Sequence, residues 1–165
     1  MNNQFDEQID VLEKGLISQS LKLVTAESCT GGGLAELLTQ RAGASAWFER
    51  GFVTYSNEAK QELLNVQHDT LLQYGAVSEA TAAEMVRGAV DNSHAQLGVS
   101  ITGIAGPDGG SEEKPVGTVC LGWGDISGEV KTTRVVFSGD RNQIRLQACQ
   151  IAIQGLIESI NKITK

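Results

Sequence analysis

The sequence predicts a single three-layer α/β/α domain on a mostly parallel, mixed sheet, and three observations carry that prediction. Segments with helical periodicity alternate with short β-branched runs along most of the chain. Only one pair of strand-like runs is separated by a short turn, so one hairpin joins strands that otherwise need helical crossovers. Glycine-rich or turn-forming segments follow several predicted strands, at the carboxyl ends where sheets of this class hold ligands.

The elements follow in order. Ile9, Leu12 and Leu16 share one helical face and predict an amphipathic helix over 5–20. An apolar strand over 21–26 stops in Glu27-Ser28-Cys29-Thr30-Gly31-Gly32-Gly33, after which Leu34, Leu37 and Leu38 resume helical spacing. Alternation and aromatic content predict a strand over 47–55; Ser56 or Asn57 then caps a helix running to 66, with Lys60 on its first turn. Ser78 opens a helix with Ala82, Met85, Val86 and Ala89 on one face, and a strand over 97–102 empties into the turn-forming stretch 103–110. Strands over 117–123 and 130–137 flank the turn 125–128. Asp140, with Gln143 three residues on, caps a last helix whose expected buried stripe is Leu146, Cys149, Ile153, Leu156 and Ile160.

Composition narrows the function classes. The 165 residues fill one domain of ordinary size, and 41% hydrophobic against 20% charged residues is a globular balance. Thirteen basic against 20 acidic residues leave a net charge of −7, which repels nucleic-acid backbones and anionic membranes. A small molecule or another protein is the expected partner. Three cysteines, Cys29, Cys120 and Cys149, form no CxxC pair and support neither a disulfide framework nor a zinc site, which fits a reducing cytoplasm. The first ten residues lack a basic and then apolar leader, and no apolar run is long enough to span a membrane.

Ser28 stands between a strand and a glycine-rich helix start, where backbone N–H groups lack intrahelical partners. Such a turn can cradle a phosphate or form an oxyanion hole beside a nucleophilic hydroxyl, and Ser28 and Thr30 can equally serve as plain helix caps. A nucleophilic serine needs a base. His68 and His94 both fall in polar stretches that read as surface, which leaves Lys60, disfavoured as an ammonium by its first-turn position, with Tyr55 five residues earlier. Asp108 with Gly109 and Gly110 marks a turn that either approaches a ligand or only reverses the chain. Arg141 and Arg145, four apart on one helical face, can grip a phosphate or simply solvate a surface.

The strings TAESCTGG (25–32), GFVTYSNEAK (51–60), GIAGPDGG (103–110) and KPVGTV (114–119) resemble the signature blocks of the CinA C-terminal family, over nearly the whole chain. The resemblance implies a mixed-sheet α/β/α fold. It also implies hydrolysis of the carboxamide of nicotinamide mononucleotide to nicotinate mononucleotide and ammonia in pyridine-nucleotide recycling, with no metal and no cofactor. The family's serine, tyrosine and lysine carry over onto Ser28, Tyr55 and Lys60. On that expectation neutral Lys60, directly or through Tyr55, deprotonates Ser28, and backbone donors near Thr30, Gly31, Gly32 and Gly33 hold the oxyanion, while the thiol of Cys29 is the rival nucleophile. The substrate phosphate falls to the loop containing Thr102, Gly103 and Gly106 and to Arg141 or Arg145. The extra N-terminal domain of longer family members is not expected here. The rival expectation is a catalytically silent nucleotide-binding or competence-related paralogue, and the exposed remainders of the first and last helices suit a homodimer.

Overall fold

The computed structural model describes residues 3–163, so Met1 and Asn2, where the polar opening of the sequence begins, lie outside the described residues. Helix α1 (Asn3–Ser18) leads into β1 (Leu23–Glu27), then α2 (Gly33–Thr39), a 3-10 turn (Ala44–Ala46), β2 (Phe48–Val53) and α3 (Asn57–Leu64). The short α4 (His68–Tyr74) and α5 (Glu79–Asp91) precede β3 (Leu97–Gly103), the hairpin β4 (Thr118–Asp125) and β5 (Val130–Val136), and α6 (Arg141–Ile163). None of these helices is long and apolar enough to cross a membrane.

The five strands form one mixed sheet in the order β2-β1-β3-β4-β5. β1 runs parallel to both β2 and β3, and the hairpin then adds β4 and β5 antiparallel. Strand alternation sorts the two helical layers. Leu23 of β1, Leu97, Val99 and Ile101 of β3, and Val119 and Leu121 of β4 share a core with Leu12, Leu16, Ile153 and Leu156 of α1 and α6. Val24 and Ala26 face the opposite way and pack with Leu64, Met85 and Ala89 from α3 and α5. Two close approaches set these layers. A Cβ at Gly88 of α5 would run into the Leu64 carbonyl of α3, and one at Gly155 of α6 would run into the Trp123 indole, whose Nε1 donates to the Ala152 carbonyl at 3.0 Å.

The local signals place the helix starts correctly. Ser56 and Ser78 are N-caps whose side chains accept from the amides of Ala59 and Thr81. Asp140 and Gln143 make the reciprocal capping box, at 2.8 and 2.9 Å. Two expectations are corrected and one helix is added. The helix expected to reach 66 ends at Leu64, because Asn65 turns left-handed at φ 57°. Helix α4 went unread because none of its residues is buried, so it shows no apolar stripe. Leu146, expected in the buried stripe of α6, is 48% exposed; Ile144, Ala148 and Ala152 lie buried there beside Cys149, Ile153, Leu156 and Ile160.

Candidate active site

The end of β1 delivers Ser28 to the carboxyl edge of the parallel strands, where its N–H donates to the Ile101 carbonyl of β3 at 2.9 Å. The chain reverses through Gly31 and Gly32, whose φ of 58° and 96° are readily reached only without a side chain. Gly31 N–H donates to the Ser28 carbonyl at 3.0 Å and Gly33 N–H to the Thr30 carbonyl at 2.9 Å. Neither Ser28 nor Thr30 caps α2: Gly32 occupies the N-cap position with no side-chain bond. The capping is done by Glu27, 1% exposed, whose two carboxylate oxygens accept from the Leu34 and Ala35 amides at 2.8 and 3.0 Å. An anion at a helix N-terminus is favoured there. Sequence reasoning missed this role, because an acceptor seven residues before its donor lies outside any short capping pattern. Among the described residues the amides of Cys29, Thr30 and Gly32 donate to no backbone carbonyl, and that of Cys29 faces its own thiol.

Lys60 reaches Ser28 from the first turn of α3. Its side chain is buried, and Nζ lies 3.0 Å from Ser28 Oγ, 2.9 Å from the Thr54 carbonyl oxygen and 3.3 Å from that of Tyr55. None of these partners is a carboxylate. Burial therefore pulls the Lys60 amine below its ordinary value, against a smaller opposing effect from Cys29. As an ammonium Nζ donates to all three oxygens; as a neutral amine two N–H donors meet the two carbonyls and the lone pair is left for the Ser28 hydroxyl. Burial also pushes the neighbouring Cys29 thiol up to about 11, which leaves it protonated near neutral pH, and it is the Ser28 hydroxyl that Lys60 contacts. His68 and His94 are both exposed, and among the described residues no cluster of three or more His, Cys, Asp or Glu is arranged to hold a metal ion.

A cleft of about 290 Å³ opens over this pair, and Ser28, Tyr55, Lys60, Thr102, Gly103, Gly106 and Arg141 all line it. Thr102 Oγ1 donates to the Ala76 carbonyl at 2.8 Å and so ties the segment before α5 to the rim. Tyr55 turns outward: its hydroxyl accepts from Arg141 Nη2 at 3.1 Å, and its carbonyl, not its hydroxyl, meets Lys60. Arg141 also donates through Nη1 to the Gly106 carbonyl at 2.7 Å, bridging the two rims. Arg145 is elsewhere. It borders a separate cavity of about 350 Å³ between α2 and α6, with Thr30 and Gly33, and donates to the Thr30 carbonyl at 2.8 Å. Gly31 and Gly32 shape the turn and do not line the Ser28 cleft. Sequence reasoning missed Ala76 and Val77 on the cleft wall, since small or apolar residues carry no chemical signal, and read Asn57 only as a helix-cap candidate; Asp108 and Gly109, read as a turn that either approaches a ligand or only reverses the chain, line the cleft too.

Comparison with known proteins gives four further findings. The model of the CinA C-terminal domain matches residues 6–160. The nicotinamide-nucleotide amidohydrolase PncC of Escherichia coli strain K12 is 53% identical over 153 residues, covering 93% of this chain and 91% of that protein. A CinA-like protein of Leptospira biflexa is 45% identical over 155 residues, which make up 94% of this chain but 37% of the longer protein. Among solved structures, the competence/damage inducible protein CihA of Agrobacterium tumefaciens superposes with a TM-score of 0.92 at 43% identity, covering 96% of each chain.

Proposed function

The chain belongs to the CinA C-terminal domain family, and from that premise we propose that it hydrolyses the carboxamide of nicotinamide mononucleotide to nicotinate mononucleotide and ammonia, as a step in pyridine-nucleotide recycling. The relatives named for this activity supply the substrate, and the Lys60–Ser28 contact is the observation that carries the chemistry.

Neutral Lys60 takes the Ser28 proton directly as Oγ attacks the carboxamide carbon. The carbonyl oxygen becomes an oxyanion held by backbone amides of the turn that follows Ser28, whose first residue, Cys29, lines the cleft. Lys60 then returns the proton to the leaving nitrogen, ammonia departs and Ser28 is left acylated. Water attacks the acyl carbon, its proton again passing to Lys60, and the carboxylate is released as Ser28 regains its proton. Tyr55 contributes its carbonyl to Lys60, while its hydroxyl stands with Arg141 at the cleft mouth to meet the ribose phosphate. Of the two arginines Arg141 is our candidate for that phosphate, because it alone of the pair lines the cleft.

Ammonia release from nicotinamide mononucleotide by the purified protein, compared with Ser28→Ala, tests the proposal. Turnover that disappears in the variant supports it; tight nucleotide binding without ammonia would make the chain a binding module.

A further inference from the structure

We infer that Arg145 is a positioning residue for the nucleophile turn: by holding the Thr30 carbonyl from the side away from the cleft, it fixes Ser28 and the amides beside it. The inference rests on the reading of Ser28 as nucleophile.

The chain of contacts is short. A peptide unit is planar, so fixing one of its polar groups fixes the other. In the unit joining Thr30 to Gly31, the carbonyl accepts from Arg145 Nη2 at 2.8 Å and the N–H donates to the Ser28 carbonyl at 3.0 Å. The Ser28 N–H is in turn tied to Ile101 of β3 at 2.9 Å. Ser28 is thus gripped on both sides, by the sheet through its amide and by α6 through one peptide plane. That plane needs holding, because Gly31 and Gly32 are the residues most free to change conformation.

Charge points the same way. Glu27 buries a carboxylate beside the turn, and a negative charge there opposes the oxyanion that forms on the Ser28 adduct. Arg145, like Arg141, acts in the opposite sense to Glu27 on the Cys29 thiol next to Ser28. An ordinary substrate ligand would line the cleft, and Arg145 does not.

The test uses the full chain with Arg145→Gln, Arg145→Lys and Arg145→Ala. Steady-state turnover of nicotinamide mononucleotide is measured together with the rate at which a fluorophosphonate labels Ser28, a reaction that needs the same oxyanion donors but no nucleotide. In Arg145→Gln, kcat and the labelling rate should fall together by about 100-fold, the scale of a small misplacement of reacting groups, with KM changed by less than about threefold. Guanidinium ion should restore at least part of the labelling in Arg145→Ala and leave the wild type unaffected. Arg145→Lys, which keeps the charge without the planar fork, should fall between wild type and Arg145→Gln, and it decides the matter should the glutamine variant not fold. A raised KM with normal kcat would make Arg145 a substrate ligand and overturn the inference, as would unchanged labelling. A wild-type protein that labels at Ser28 without releasing ammonia would overturn the substrate assignment alone, the labelling rates still deciding Arg145; no labelling at all would count against both.

Discussion

Lys60 Nζ and Ser28 Oγ, 32 positions apart in the chain, meet at 3.0 Å in a buried setting where the remaining Lys60 partners are the backbone carbonyls of Thr54 and Tyr55. Burial shifts a lysine held this way toward its amine form relative to a free lysine. In the proposed mechanism this arrangement gives the serine its base without histidine or carboxylate.

The first consequence concerns stability. The folded-state pKa of Lys60 is lowered from 10.5, so between the lowered value and 10.5 the unfolded chain binds the extra proton. Stability from this group therefore rises with pH through that window, is fully present above it and is lost below the folded value. Denaturant midpoints measured across alkaline pH should rise more steeply for wild type than for Lys60→Met; parallel curves would mean that Lys60 is not held neutral.

The second separates adjacent nucleophiles. Cys29→Ala should keep most of the turnover, since in the proposed mechanism Ser28, the residue that Lys60 contacts, makes the bond. Kinetics of both single variants decide this: an inactive Cys29→Ala beside an active Ser28→Ala would reverse the assignment.

The third concerns the phosphate. Arg141→Ala should lower kcat/KM for nicotinamide mononucleotide by at least about tenfold while leaving the weaker reaction of the phosphate-free riboside nearly unchanged, because the lost binding energy belongs to the phosphate. Equal losses on both substrates would remove Arg141 from phosphate recognition.

Much of this architecture was legible because its signals are local. The Ser56 and Ser78 caps, the Asp140–Gln143 box and the turn between β4 and β5 each need only a few neighbouring residues. Ser28, Tyr55 and Lys60 were picked out by position and by the quoted strings, and the structure brings all three to one cleft. Tertiary placement was not legible. Arg141 and Arg145 share a helical face by spacing, yet one reaches over the cleft rim and the other reaches the back of the Ser28 turn. Glu27 reads as the last residue of a strand, and only the close return of α2 makes it a helix cap. Small residues hid the rest: Ala148 and Ala152 line the buried face of α6 where the larger Leu146 was expected.

The most direct test of the central claim is the pH dependence of kcat/KM for ammonia release in wild type and in Lys60→Arg. The wild-type rate should rise with pH through an apparent pKa below 10.5, the ordinary lysine value, as Lys60 loses its proton. Lys60→Arg should be inactive at every usable pH, because a guanidinium does not give up its proton. A Lys60→Arg enzyme with near-normal turnover would contradict the account and leave Lys60 as a fixed positive charge beside Ser28.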